Sequence, residues 1–250
     1  MLTRTSESLL PKRPRGRPRK TALDQDDGNR RQELLRAAAR LFRRGGFAAT
    51  STRDIAAAVG MQSGSPFYHF KSKGALLYAV MEEGMRSAIV RQDGVLEKAA
   101  QAQALQKIAH PGAAERGLLT ILVRNHFDIL LGPGSDFIPV MLYEARSITA
   151  RQRAALAELQ AAYEAPWVPV LQALHASGQL RADVKLARLL LFGALNWSAQ
   201  WFDRRKEASL DDLAEAAVKL FTAGPPRGKK APLGGSEAWG LLFTAGRETP

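Results

Sequence analysis

The stretch GGFAATSTRDIAAAVGMQSGSPFYHFKSKGALL, residues 45–77, decides the fold of this chain. Residues 51–54, Ser-Thr-Arg-Asp, form a capping box, in which the serine hydroxyl accepts an early helical N–H and the aspartate reaches back. The helix that this box opens turns Ile55 and Val59 inward and ends at Gly60, which suits the left-handed conformation at a helix C-terminus. The pattern predicts two short helices joined by a tight turn.

The polar residues around this turn suit a surface that contacts DNA. In a helix-turn-helix motif the first helix braces across the backbone, and the second, predicted here over residues 63–70, enters the major groove. Small residues such as Ala56 and Gly64 let the two helices cross steeply. The predicted base-edge or phosphate contacts are Gln62, Ser63, Ser65 and His69, and the predicted flanking phosphate contacts are Thr52, Arg53, Lys71 and Lys73. The alternative is a helical hairpin with a solvated polar face.

Residue identities in this stretch resemble the signature of the TetR/AcrR family of bacterial transcriptional regulators, over about fifty residues. The matching segments are Gly45-Gly46-Phe47, Arg53-Asp54-Ile55-Ala56, Gly60, the run from Gly64 to Lys73, and Leu76-Leu77. The resemblance implies a three-helix DNA-binding domain followed by a larger helical domain for ligand binding and dimerisation. It also implies that phosphates are contacted by Tyr68, His69 and Lys73, and bases by Gln62, Ser63 and Ser65.

Three positions depart from that signature. Pro66 replaces a usual aliphatic residue, and Phe67 stands where many members carry a tyrosine, so one hydroxyl-to-phosphate contact is expected to be absent. Gly74 replaces a common glutamate, which weakens the predicted start of the following helix.

A basic segment precedes the motif. The net charge of the chain is +12, and residues 1–20 supply half of it. Within them, Pro14-Arg15-Gly16-Arg17-Pro18 resembles the core of an AT-hook, in which Gly16 lets the backbone approach the minor-groove floor while Arg15 and Arg17 spread along it. A basic linker with general phosphate affinity is the alternative.

Helical periodicity continues through most of the chain, with no persistent strand alternation, so the predicted class is all-α. Breaks are expected at Gly94, at residues 110–112, at residues 132–134, at Gly178 and near Lys206. The predicted domains are a disordered basic arm (1–28), a helix-turn-helix domain (29–75), a ligand-binding and dimerisation domain (76–224) and a flexible C-terminal tail (225–250).

The larger domain contains a helix predicted from Asp183 to Arg205 that is apolar on most faces. Such a helix must be buried within the domain or against another subunit. With residues 151–177, which Pro166 and Pro169 are expected to kink or break, it is the predicted dimer surface. The resemblance implies a twofold dimer on a palindromic operator. In this dimer the second helices of the two helix-turn-helix motifs lie roughly 34–36 Å apart.

An effector pocket is expected within residues 75–223. The predicted ligand-binding residues are Phe127, Tyr143, Arg146, Trp197 and Trp201. Ordinary core packing is the alternative for the aromatic residues, and a surface position for the arginine. The run Gly193-Ala194-Leu195-Asn196-Trp197, followed by Trp201-Phe202, resembles the C-terminal signature of a TetR subgroup that senses acyl-CoA thioesters.

Little in the chain indicates an enzyme. It has no cysteine, no dinucleotide or P-loop glycine pattern, and four histidines without ligand spacing, so no catalytic residue, cofactor or metal is expected. No apolar run reaches the roughly 18–20 residues of a membrane span, and no secretory signal is found at the start. The expected location is the bacterial cytoplasm, in association with the nucleoid.

Two functions remain in competition. The first is a ligand-responsive regulator, a dimeric repressor that a small apolar or acyl-CoA-like effector releases from its palindromic operator. The second is an architectural protein that binds A·T-rich double-stranded DNA without an effector. A repressor prefers one palindrome by about a thousandfold or more over other DNA, whereas an architectural protein binds most A·T-rich duplexes similarly.

Overall fold

The computed structural model of the chain describes residues 22–61, 66–105, 113–206 and 208–222. These residues contain ten α-helices, a short 3-10 helix (Ala145–Ser147) and no strand, which confirms the all-α prediction. The helices are α1 (Ala22–Ala49), α2 (Thr52–Ala58), α3 (Pro66–His69), α4 (Lys73–Leu105), α5 (Ala113–Leu131), α6 (Phe137–Glu144), α7 (Ala150–Glu164), α8 (Trp167–Ala176), α9 (Val184–Trp201) and α10 (Leu210–Phe221). The AT-hook-like core and the tail 225–250 lie outside the described residues.

Helix α1 begins at Ala22. The prediction of a disordered arm up to residue 28 is therefore wrong for residues 22–28, which are helical. The sequence there is rich in aspartate, a residue type that the positive end of the helix dipole favours in a first turn. Near its other end α1 is interrupted at Gly46, whose φ of 78° lies in the left-handed region that glycine adopts readily.

The N-terminal unit packs α1, α2 and the start of α4 around an apolar centre. The apolar stripe of α1 is buried, and Ile55 of α2 and Phe70 after α3 pack against it. The rings of Phe42 and Phe47 lie 5.5 Å apart across the kink of α1. This centre fixes the position of α2 and α3 relative to α4.

Helix α4 runs without interruption from the N-terminal unit into the larger one. The predicted break at Gly94 is wrong, because a single glycine inside a helix costs only about 1 kcal/mol and α4 is held by packing against α5, α6 and α7. The predicted breaks at residues 132–134 and at Gly178 are confirmed, with Gly134 and Gly178 at positive φ. The break at residues 110–112 falls outside the described residues.

The larger unit is built around α5, which contacts α4, α8, α9 and α10. Its centre holds Trp167, whose ring lies 4.7 Å from that of Phe192. The predicted interruption at Pro166 is confirmed, since α7 ends at Glu164 and α8 begins at Trp167. No helix in the described part of the chain is long and apolar enough to cross a membrane.

Candidate nucleic-acid interface and core cavity

The first helix of the motif is capped as its sequence predicts. The Ser51 hydroxyl accepts the Asp54 N–H at 3.1 Å, and the Asp54 carboxylate accepts the Ser51 N–H at 2.9 Å. The side-chain hydrogen bond from Ser51 lowers the pKa of Asp54, so the box is closed by a charged acceptor. Gly60 has a φ of 66°, and the Met61 N–H closes the turn on the Ala56 carbonyl at 2.9 Å. The helix-turn-helix geometry therefore starts from a rigid first element.

Side chains on the outer surface of this motif are solvated and basic. Arg53 and Lys71 are exposed, and Tyr68 on α3 has 80% of its surface exposed. Thr52 and His69 are half-buried beside them, and the His69 ring meets the Tyr68 ring edge-on at 5.2 Å. The predicted base-reading residues Gln62, Ser63 and Ser65 lie outside the described residues. The described surface can supply phosphate contacts from two short helices.

Lys73 has a different setting from the one predicted for a phosphate contact. Its ammonium donates to the Phe47 carbonyl at 2.8 Å and the Thr50 carbonyl at 2.9 Å, with a longer contact to the Ala48 carbonyl. The same group lies 4.4 Å from the centre of the Phe47 ring. The first turn of α4 thus holds the end of α1, and the phosphate contact of Lys73 stays a prediction beside this structural role.

The two units are joined by polar contacts from α6. Asp136, just before α6, pairs with Arg43 of α1 at 2.9 Å. At the other end of α6, the Glu144 carboxylate accepts the Phe47 N–H at 2.8 Å. Helix α6 therefore contacts the helix-turn-helix unit at both of its ends.

A small cavity of about 30 Å³ lies in the core of the larger unit. Methionine and isoleucine side chains of α4, α5 and α6 form its apolar walls, including Met85, Ile138 and Met141. A polar side is formed by residues of α5, α7 and α9, namely His126, Gln160, Tyr163, Glu164 and Asn196. A volume of this size holds a water molecule or two, so a larger ligand must push the walls apart.

Helix α9 carries an exposed apolar face. Leu186, Leu189, Leu190, Trp197 and Trp201 recur at helical spacing and are all more than half exposed. Gly193 and Ala194, also exposed, lie at the centre of this face. The opposite face of the helix, with Leu191 and Leu195, is buried against the domain. An unburied face of this size is typical of a protein interface.

Comparisons with known proteins agree with this architecture. The model of bacterial regulatory proteins of the tetR family matches residues 34–80, and that of the tetracyclin repressor-like C-terminal domain matches residues 112–224. The chain belongs to the TetR family. The prediction of a DNA-binding transcriptional regulator with an N-terminal helix-turn-helix is thereby confirmed.

Relatives match along most of the chain. The HTH-type transcriptional repressor KstR2 of Rhodococcus jostii is 29% identical over 198 residues, which is 78% of this chain and 90% of that protein. The crystal structure of the superantigen PfiT is 36% identical with a TM-score of 0.61, covering 78% of this chain and 97% of PfiT. AibR, solved in complex with isovaleryl coenzyme A and operator DNA, is 25% identical with a TM-score of 0.60, covering 77% and 97%.

Most of the predicted ligand residues of this TetR-family chain lie away from the cavity. Tyr143, Arg146, Trp197 and Trp201 are exposed, and none of them lines it. Phe127 is buried but packs in the surrounding core. The ligand roles of these residues stay predictions. An aromatic residue on a largely apolar helix can face either the core or a partner, and helical periodicity gives no sign of which.

The sequence does not single out Tyr163, Asn196 or Glu164 as ligand residues, whereas His126 is a candidate to receive the polar end of a ligand, with a satisfied core histidine as the alternative. A signal is present at Asn196, a polar residue between the apolar residues Leu195 and Trp197 of α9, whereas His126 stands among other polar residues of α5. Such residues are costly to bury unless they are partnered, which makes them candidates for a shared polar cluster.

Proposed function

We propose that this TetR-family protein is a dimeric repressor, which an effector releases from a palindromic operator by entering the core cavity. The proposal depends on helix α6, which lines the cavity and also contacts the helix-turn-helix unit. Its Ile138 and Met141 side chains line the cavity, while Glu144 at its end and Asp136 before its start hold the helix-turn-helix unit. Any ligand that opens the cavity at α6 also displaces these contacts.

Operator contact is assigned to the basic surface of α2 and α3. Arg53, Tyr68 and Lys71 are exposed there, with Thr52 and His69 beside them, and Gln62, Ser63 and Ser65 are proposed to reach the bases. Hydroxyl, guanidinium and ammonium groups are the usual phosphate ligands on DNA-binding surfaces. The N-terminal arm, with Arg15, Gly16 and Arg17, is proposed to add minor-groove contacts beside the operator.

Effector release rests on the small size of the cavity. Because the cavity in this structure accommodates a water molecule or two, a larger ligand binds a rearranged state in which the walls have moved. A ligand shifts an equilibrium by its difference in affinity for the two states, so the rearranged state gains population. KstR2 is named a repressor and AibR was solved with isovaleryl coenzyme A and operator DNA, which supports a lipophilic or acyl-CoA-like effector here.

The proposed dimer uses the exposed face of α9. Five large apolar side chains of this helix would otherwise remain in water, and Gly193 and Ala194 allow a second helix to approach closely. Two helix-turn-helix units, each within residues 29–75, would then face successive major grooves, with the remaining domain up to residue 224 forming the dimer and effector core. Such a regulator works in the bacterial cytoplasm, at the nucleoid.

The test is a footprint on DNA upstream of the gene for this chain and of its neighbours. A protected region with dyad symmetry, lost on addition of isovaleryl-CoA or another acyl-CoA, supports a repressor with an effector. The high charge of the arm favours architectural binding as the second candidate, in which A·T-rich duplexes are protected without dyad symmetry. Equal affinity for operator and for unrelated A·T-rich DNA would therefore overturn the first proposal.

A further inference from the structure

The polar side of the core cavity is a connected hydrogen-bond cluster. The Tyr163 hydroxyl lies 3.0 Å from Nδ1 of His126, and Nε2 of the same ring lies 3.2 Å from Oδ1 of Asn196. Tyr163 and His126 are buried, and they come from α7 and α5, whereas Asn196 comes from α9. Three helices thus place polar atoms at one wall of a cavity that is otherwise apolar.

The protonation of this cluster follows from burial. Desolvation lowers the pKa of His126 to about 4, so the ring is neutral at physiological pH and carries one N–H. Because the Asn196 oxygen accepts from Nε2, Nδ1 is left to accept from the Tyr163 hydroxyl. The amide nitrogen of Asn196 has no partner among the described residues. It is a donor that remains available to a ligand oxygen.

The charged groups at the cavity wall determine which ligands it can accept. Glu164 lines the cavity, is paired with Arg188 and accepts from Gln160 at 3.0 Å. No lysine or arginine is found among the residues that line it. A carboxylate placed there would lose its hydration without gaining a cationic partner, because the Arg188 guanidinium is already paired with Glu164, and an unpaired buried charge is strongly unfavourable.

We propose that the cavity accepts the neutral carbonyl oxygen of an apolar ligand, bound by the Asn196 amide, and excludes the free carboxylate of the same shape. This inference rests on the proposed effector role of the cavity and adds the chemical class of the effector. Esters, thioesters and ketones with a compact apolar group belong to that class. The corresponding free acid, which hydrolysis of the thioester would release, does not.

The first experiment compares two molecules of nearly equal shape, isobutyl methyl ketone and isovalerate. They differ in that a methyl group of the ketone replaces one oxygen of the carboxylate. Titration calorimetry on the full chain at neutral pH is expected to show at least a tenfold lower Kd for the ketone. Equal affinities, or tighter binding of isovalerate, would overturn the inference.

The second experiment assigns the donor. Asn196→Leu is expected to weaken ketone binding at least tenfold, because the substitution removes the amide of a residue that lines the cavity. The matched control is Asn125→Leu, since Asn125 is a buried asparagine of α5 whose side chain does not line the cavity. Similar ketone affinities for the two variants would contradict the role of Asn196.

Failure of this inference is distinguishable from failure of the proposed function. If isovaleryl-CoA releases the protein from the operator but the ketone and the acid bind with equal affinity, the proposed effector function stands. The inferred selectivity for a neutral carbonyl is then overturned. If neither small molecule binds while an acyl-CoA still releases the operator, the effector uses another site and the inference is overturned. If no acyl-CoA, ester or ketone binds or releases the operator, both proposals fail.

Discussion

Glu144 and Phe47 are 97 positions apart in the chain, yet the Glu144 carboxylate accepts the Phe47 backbone N–H at 2.8 Å. The donor directly follows Gly46, where the backbone of α1 leaves the helical region. A Cβ at Gly46 would lie 3.4 Å from the same carboxylate oxygen. The close fit of α6 against this kink makes the end of α1 depend on the position of α6.

The first prediction concerns this contact. In Glu144→Ala the Phe47 amide loses its acceptor, so we expect its hydrogen exchange in the absence of DNA to accelerate by about tenfold or more. Exchange of buried α5 amides serves as an internal reference for global unfolding. Glu144→Gln keeps a carbonyl acceptor and should retain most of the protection. Unchanged exchange at Phe47 in the alanine variant would show that the contact does not hold the kink.

The second prediction separates two lysines that the sequence places in the same role. Lys73→Met should lower stability by roughly 1–3 kcal/mol, because partly buried carbonyls lose their donor, and should leave the salt dependence of operator affinity unchanged. Lys71→Met should leave stability unchanged and reduce the slope of log K against log salt by about one. Thermal unfolding and anisotropy titrations at several salt concentrations measure both effects.

A smaller slope of log K against log salt in Lys73→Met would instead support a phosphate contact by Lys73. Because the two variants remove the same charge with the same new side chain, they control for each other.

Sequence reasoning succeeded where a structural feature is decided within a few residues. The capping box at Ser51 and the break at Pro166 are both present as predicted. It failed at Gly94, where the packing of α4 outweighs the local cost of a glycine. Local sequence signals specify the ends of helices. Tertiary contacts decide whether a weak helix breaker inside a helix, such as a single glycine, interrupts it.

The polar cluster of the cavity could not be predicted from the sequence, because it also depends on tertiary contacts. His126, Tyr163 and Asn196 meet only because α5, α7 and α9 pack together, and no spacing in the sequence records this. The α9 aromatic residues were assigned to a pocket, although they lie on the outer face. Single-chain periodicity distinguishes apolar from polar faces, but it does not distinguish a domain core from a subunit interface.

The third prediction tests that interface. Leu190→Glu places a charge in the exposed apolar face of α9, and we expect sedimentation to show monomers together with at least tenfold weaker operator binding. The control is Leu220→Glu on α10, where the leucine is 85% exposed and lies outside that face. Monomers in the unmodified protein at micromolar concentration would refute a dimer through α9.

The fourth prediction concerns the approach of α4 to α6. A Cβ at Gly84 would lie 2.5 Å from the Cβ of Phe137, so Gly84→Ala must force the two helices apart. We expect destabilisation by roughly 1–3 kcal/mol in chemical denaturation, because the packed contact has no flexible group that can yield. Gly117→Ala on α5, where a Cβ meets nothing, should be neutral or slightly stabilising. Equal stability of the two variants would mean that the α4–α6 contact adjusts without cost.

The fifth prediction uses the buried histidine. Burial lowers the pKa of His126 to about 4 from its ordinary value of 6.5, so the unfolded chain binds a proton more readily than the folded one between these values. This contribution to stability is complete above pH 6.5 and is lost as the pH falls towards 4, with a total on the order of 3 kcal/mol. His126→Gln should therefore show a flatter loss of unfolding free energy in this window than the unmodified protein.

His175→Gln, at an exposed position, should keep the original profile. If His126→Gln and the unmodified protein lose stability in parallel from pH 6.5 to 4, the ring is already able to accept a proton in the folded state, and the hydrogen-bond directions assigned to the cavity wall are wrong.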